Sequence, residues 1–194
     1  EGDVRSESSV AQAVCAAADS FGGLDAAVQN ACLCPFSPFE DTDGDVLKAA
    51  FYVNYFGAVN LTRSAAPHMR AGGRILFTSS GVGVTGFPNL TAYASTKGAI
   101  ESLAKCLRLE YARQGLSFHI LHPPLARTRS SAPLPVPAEF MASPEAVGRG
   151  LAKRLFSRHF IICHSPWQRA QTLMCYLAPL KFGSLMARMT ARAN

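Results

Sequence analysis

Tyr93 and Lys97 stand at i and i+4 in the segment TAYASTK. On a helix these two positions share a face. A cation beside a phenol stabilises the phenolate and brings the phenol into range as a proton donor or acceptor near neutral pH. Ser80 comes just after the apolar run Arg74–Thr78 (RILFT). A serine at the carboxyl end of a parallel strand faces the crevice above the sheet. There its hydroxyl can hold a substrate oxygen beside the phenol. Ser79 competes for that place, because neighbours on a strand point to opposite sides. Asn54, in VNYFGAVN, falls inside a helical pattern where asparagine is disfavoured. Its amide is expected to bond a helix carbonyl or a bound water. Asn30 ends the run Leu24–Gln29, where its amide is expected to bond neighbouring backbone. Each motif alone also has a plain structural reading, since most YxxxK pairs are surface neighbours and most loop serines cap local backbone.

These residues need elements to hold them. The spacing predicts a helix over Ser6–Phe21, stopped by Gly22-Gly23, and a short strand over Leu24–Gln29. A second helix is predicted from about Asp45 to Met69, then a strand over Arg74–Thr78 and a polar, Gly-rich loop over Ser79–Leu90. Thr91–Arg113 reads as a long helix and Ser117–Leu121 as a strand. A Pro-rich loop follows over Pro123–Pro137, then a helix over Pro144–Phe156 and a strand over Phe160–Cys163. The alternation predicts an α/β fold, a Rossmann-like doubly wound parallel sheet with helices on both faces. Residues 1–165 form this unit. Residues 166–194 form a basic, amphipathic helical tail interrupted at Pro179, expected to pack on the body.

Composition sets the outer limits. The chain has 194 residues, 48% hydrophobic and 16% charged, which suits one domain with a sizeable core and excludes disorder. The net charge of +6 is uneven: all 13 acids lie at or before Glu145, while 8 of the 19 basic residues follow it. A single basic tail falls short of a nucleic-acid surface. The six cysteines show no CxxC or finger spacing, and the five histidines form no ligand cluster, so no metal site is expected. Reduced, buried thiols in an intracellular, cytoplasmic protein are the expectation. Paired carboxylates at strand ends are missing, against a glycosidase. Ser80 lacks a GxSxG turn, against an α/β-hydrolase.

Taken in order, Asp3, LDAAVQNA, Asn54 with Gly57, RILFTSS with Ser80, the Tyr93/Lys97 pair and HPPLART resemble the short-chain dehydrogenase/reductase family over roughly residues 1–165. The resemblance implies an oxidoreductase using NAD or NADP. Tyr93 would be the acid or base, Lys97 would tune it and hold the nicotinamide ribose, and Ser80 would polarise the substrate carbonyl. Asn54 would hold a water relaying protons to Lys97, and Asn30 would support the sheet near the cofactor. Asp3 would contact the adenine, and Thr128 the nicotinamide carboxamide, beside the turn at Pro123. Two positions depart from the pattern. Cys32 replaces a glycine where backbone runs close to cofactor, and Pro124 replaces a glycine in the later turn.

The resemblance also implies that about 60 residues, two βα units with the pyrophosphate-binding glycines, precede Glu1. The chain is expected to be a fragment, with the Leu24–Gln29 strand left as an open edge. The alternative reading is a shortened, inactive relative acting as a binding or dimerisation module through its two long helices. Those helices are where the resemblance places a homo-oligomer interface. The short, apolar loop Arg129–Ala142, with Leu134, Val136, Phe140 and Met141, leans toward a hydrophobic alcohol or ketone. The tail is compatible with peripheral contact with a membrane.

Overall fold

Capping sets the limits of the first helix. In the computed structural model of the chain, which describes residues 2–134 and 136–191, helix α1 spans Glu7–Phe21. The Ser6 hydroxyl accepts the Ser9 N–H at 3.2 Å, and Gly22 closes the helix at a left-handed φ of 69°. Val10, Val14 and Ala18 form its buried stripe. Strand β1 (Leu24–Gln29) follows directly.

The single helix predicted over Asp45–Met69 is divided in the structure. Helix α2 (Gly44–Phe51) passes through a π-helical turn, Tyr52–Phe56, into α3 (Gly57–Ala65). Pro67 sits in a 3-10 turn at Ala66–His68, because proline has no N–H to continue the α ladder. Met69 already belongs to β2 (Met69–Thr78), which is therefore longer than predicted. A bulge admits the extra residues: Leu24 pairs with Met69, but Ala26 pairs with Arg74. A short helix, α4 (Val82–Thr85), replaces part of the expected loop. The remaining elements are α5 (Thr91–Glu110), β3 (Ser117–His122), α6 (Pro144–Ala152), β4 (Ile161–Cys163), α7 (Pro166–Leu177) and α8 (Pro179–Ala191).

All strand pairs are parallel, in the order β1-β2-β3-β4. Strand alternation then separates two cores. Ile75 and Phe77 of β2, with Phe118 and Ile120 of β3, face α1, α3 and α5 through Val10, Val14, Ala58, Ala65, Ile100 and Ala104. Phe77 and Phe118 are fully buried, with ring centroids 6.1 Å apart, and each contributes roughly 1.5–3 kcal/mol by burial. Leu76, Leu121 and Ile162 face the other way, onto Leu151 and Leu155 in and just past α6. The expected parallel sheet with helices on both faces is the observed one. β1 has β2 as its only strand partner among the described residues, and Val28 on it is exposed.

The tail packs on the body. α7 lies on β4 and α8 lies on α4. Gly183 makes the close approach: a Cβ there would fall 2.5 Å from the Thr85 carbonyl oxygen. No helix among the described residues is long and apolar enough to cross a membrane. The thiols depart from expectation. Cys163 is buried, but Cys15 and Cys106 are exposed and the other three are half-buried.

Candidate active site

The carboxyl end of β2 is where the predicted residues meet. Lys97, on α5, is almost fully buried, and its ammonium donates to the Thr78 carbonyl at 2.7 Å. The Thr78 hydroxyl donates to Asn30 Oδ1 at 3.0 Å. Asn30 thus joins the end of β1 to the end of β2 through a side chain, where a backbone partner was expected. An ammonium has three donors, and the Thr78 carbonyl takes one. Burial lowers the Lys97 pKa, against an opposing pull from the Cys32 and Cys34 sulfurs.

Tyr93 lies one turn before Lys97, whose Nζ is 5.4 Å from the centre of the phenol ring. The Ser80 hydroxyl and the Cys32 thiol lie close enough to the phenol to influence it. Burial pushes the phenol pKa well above its ordinary value; the Cys32 and Cys34 sulfurs add to this, and the Ser80 hydrogen bond works against it. The expectation was that Lys97 would draw the phenol toward neutrality. In the structure the Lys97 ammonium donates to the Thr78 carbonyl, and burial is the largest influence on the phenol. Cys34, beside the same group, is pushed up to about 11, chiefly by burial. Cys32→Ala removes one of the groups holding the phenol high. Tyrosinate absorbance, taken against a Tyr93→Phe background, is expected to appear at lower pH in that variant. An unmoved titration would dissociate Cys32 from the phenol.

The two serines separate cleanly. Ser79 is buried and its hydroxyl donates to Glu101 Oε1 at 2.8 Å, which leaves Ser80 facing Tyr93. Asn54 is 0% exposed. Its Oδ1 accepts the Leu33 N–H at 2.8 Å, and its Nδ2 donates to the Leu33 carbonyl and to Thr96 Oγ1, both at 2.9 Å. The Thr96 hydroxyl in turn donates to the Tyr93 carbonyl at 2.7 Å. Asn54 thus bonds no helix carbonyl, one of the two expected partners, and clamps the Cys32–Cys34 loop to Thr96 in the second turn of α5. The π turn puts Asn54 there, and single π turns often mark functional positions.

Asp3, Thr128 and Pro123 are not drawn into this cluster by any hydrogen bond. The exposed Asp3 carboxylate pairs with the Arg5 guanidinium at 2.7 Å, which holds its pKa below the usual range. Thr128 precedes a 3-10 turn, and its N–H donates to the Ser131 hydroxyl at 2.9 Å. Pro123 directly follows β3 and is half-buried. Sequence reasoning missed Gly83. A Cβ there would meet Lys97 Cβ at 2.7 Å, and one on Gly98 would meet the Gly83 carbonyl at 3.2 Å. This pair of glycines seats α4, just past Ser80, directly on α5. Gly83→Ala should cost about 1–3 kcal/mol by overpacking, read as a lower denaturation midpoint. An unchanged midpoint would refute this close contact.

Residues 1–136 match the family model described as short chain dehydrogenase. The chain belongs to the short-chain dehydrogenase family. It is 38% identical over 129 residues to oxidoreductase UcpA of Escherichia coli (strain K12), covering 65% of this chain and 49% of that protein. It is 32% identical over 127 residues to versicolorin reductase 1 of Dothistroma septosporum, covering 65% and 48%. The chain spans about half the length of the curated relatives it matches. Among solved structures, a short chain dehydrogenase from Burkholderia cenocepacia J2315 in complex with NADP aligns with TM-score 0.66 at 27% identity, over 72% of this chain and 57% of that one. A gluconate 5-dehydrogenase from the same organism, in complex with NADP and tartrate, aligns with TM-score 0.66 at 29% identity, over 71% and 55%.

Proposed function

We propose that the protein is an NAD(P)-dependent oxidoreductase that interconverts a carbonyl and an alcohol on a hydrophobic substrate, with Tyr93 as its acid and base. The observation that carries this is the convergence of Ser80, Tyr93 and Lys97 at one strand end, with Asn30 alongside. The donor set fits the nicotinamide end of such a cofactor. Lys97 has two N–H donors beyond the Thr78 carbonyl, and the Tyr93 hydroxyl lies nearby, so both can hold ribose hydroxyls. Asp3 and Thr128 would reach the adenine and the carboxamide. NADP in the Burkholderia structures is consistent with this reading. When bound, the reduced nicotinamide supplies the hydride.

The chain's own residues supply the rest. Ser80 donates a hydrogen bond to the substrate oxygen and fixes the carbonyl against Tyr93. As the carbonyl carbon gains the hydride, Tyr93 passes its hydroxyl proton to the oxygen. The phenolate left behind faces the Lys97 ammonium. In alcohol oxidation the same proton returns to Tyr93. The loop from Arg129 to Ala142, with Leu134, Val136, Phe140 and Met141, would cover an apolar substrate.

The partners are proposals on the same footing. Tyr52, Phe56 and Leu109 leave apolar surface on the two long helical segments, which favours a homo-oligomer through them. Trp167, Leu177 and Leu180 are exposed on the tail beside Lys181, which favours peripheral contact with an anionic membrane. The six free thiols suit an intracellular, reducing compartment.

Titration of the full-length protein with NADH and NADPH tests the reading, followed by turnover of an apolar ketone. Binding of either cofactor with ketone-dependent oxidation is expected. A protein that binds neither is not an oxidoreductase, and the binding-module reading then stands.

A further inference from the structure

Ser79, Glu101, His122 and Tyr176 come from four different elements and meet below the candidate site. Glu101 is on α5, one turn past Lys97, and is 4% exposed. Its Oε1 accepts from the Ser79 hydroxyl at 2.8 Å and lies 2.9 Å from His122 Nε2. Its Oε2 accepts from the Tyr176 hydroxyl at 2.6 Å. The Tyr176 oxygen is also 3.1 Å from His122 Nε2. An ionised carboxylate only accepts, so His122 carries its proton on Nε2 and all three neighbours donate. Gln168, also on α7, donates to the His122 carbonyl at 2.7 Å. A buried carboxylate is costly unless its oxygens are filled, and here they are filled by short, charge-assisted bonds. Burial alone would raise the Glu101 pKa, but the His122, Tyr176 and Ser79 hydrogen bonds overcome it and hold the group below its ordinary value.

Resting on the functional reading above, we infer that Glu101 and Tyr176 are positioning residues that align Ser80 with Tyr93 by locking Ser79 to α5 and α7. The geometry gives the route. Ser79 is anchored at its side chain by Glu101 and at its N–H by the Leu121 carbonyl, 2.8 Å away. Two anchors fix the peptide that carries Ser80. Glu101 also shares α5 with Tyr93 and Lys97, so one carboxylate sets the spacing between the end of β2 and the acid–base helix. Tyr176 makes the tail a part of this brace. The other ionisable groups facing Tyr176 are the thiols of Cys163, on β4, and Cys175, on its own helix. Lys97 lies one turn before Glu101 on α5. Placement errors near a reacting group are expensive: a shift of about 1 Å can cost on the order of a hundredfold in rate.

The test uses the full-length protein with Tyr176→Phe, Glu101→Gln and Ser79→Ala. Tyr176→Phe keeps the ring and removes one donor. It should lower kcat about five- to twentyfold while cofactor KM stays within about twofold. The acid limb of the kcat profile should move to higher pH, because Glu101 loses a stabilising donor. Amide exchange at Ser79 and Ser80 should quicken in the cofactor-free protein in all three variants. A merely structural role would lower the fraction folded without moving kcat per cofactor-titrated site or the pH profile. An active wild type whose variants keep kcat, pH profile and exchange overturns the inference alone. A wild type that binds neither nicotinamide cofactor overturns the functional reading and this inference with it.

Discussion

On the proposed function, replacing Tyr93 by phenylalanine is expected to lower kcat for ketone reduction by about 10²- to 10⁴-fold, the range that positioned proton transfer supplies. The change removes one oxygen and keeps the ring that Lys97 faces at 5.4 Å. Cofactor binding should therefore weaken little, and the loss should fall on kcat. The raised phenol pKa gives the pH dependence its sign. Reduction needs the protonated phenol, which persists through neutral pH, so its rate should be flat there. Oxidation needs Tyr93 to accept a proton, so its rate should climb with pH as the phenol begins to ionise. Steady-state rates in both directions across pH check this. A Tyr93→Phe protein that still reduces ketone within a few-fold of wild type removes Tyr93 from the chemistry.

Asn54→Ala is expected to lose about 2–4 kcal/mol of stability, since each stranded partner of a buried hydrogen bond costs about 1–3 kcal/mol. Three bonds go at once: two to the Leu33 backbone and one to Thr96. Leu33 is 40% exposed, so water can recover part of the loss at its peptide groups. Thr96 cannot recover in the same way, because it is fully buried. The released loop carries Cys32 and Cys34 away from Tyr93, so activity should fall with stability. Chemical denaturation measures the first effect. Asn54→Asp separates the contributions, since it keeps the oxygen that accepts from Leu33 and loses both donors. Equal stability of Asn54→Ala and wild type would refute the clamp.

Much of the fold was legible because it depends on period and punctuation. Val10, Val14 and Ala18 repeat at helical spacing, and Gly22 marks the stop. RILFT alternates between the two cores as a strand between helices must. The π turn at Tyr52–Phe56 left no such trace, because an added residue within a helix does not alter composition. Ser80, Tyr93 and Lys97 lie near one another, as their spacing suggests. The supports were not legible. Glu101 follows Lys97 by four residues and nothing in the sequence singles it out, yet its partners are Ser79, His122 and Tyr176. Tyr176 is 75 residues from Glu101 in the chain, and nothing local to either residue announces the other. Gly83 fell within the expected Gly-rich loop, but its missing Cβ lets α4 touch Lys97.

For the four described strands, order along the chain is also order in space. As the polypeptide leaves the ribosome, β2 finds β1 already made, β3 finds β2, and β4 finds β3. No strand in the series has to wait for a later one to arrive between it and its neighbour. Synthesis and assembly of these four strands can run in step, which shortens the time the edges between them stay open during translation. The last helices emerge after these four strands. Tyr176 then reaches Glu101 late, so a nascent chain holds Ser80, Tyr93 and Lys97 well before Tyr176 braces Glu101.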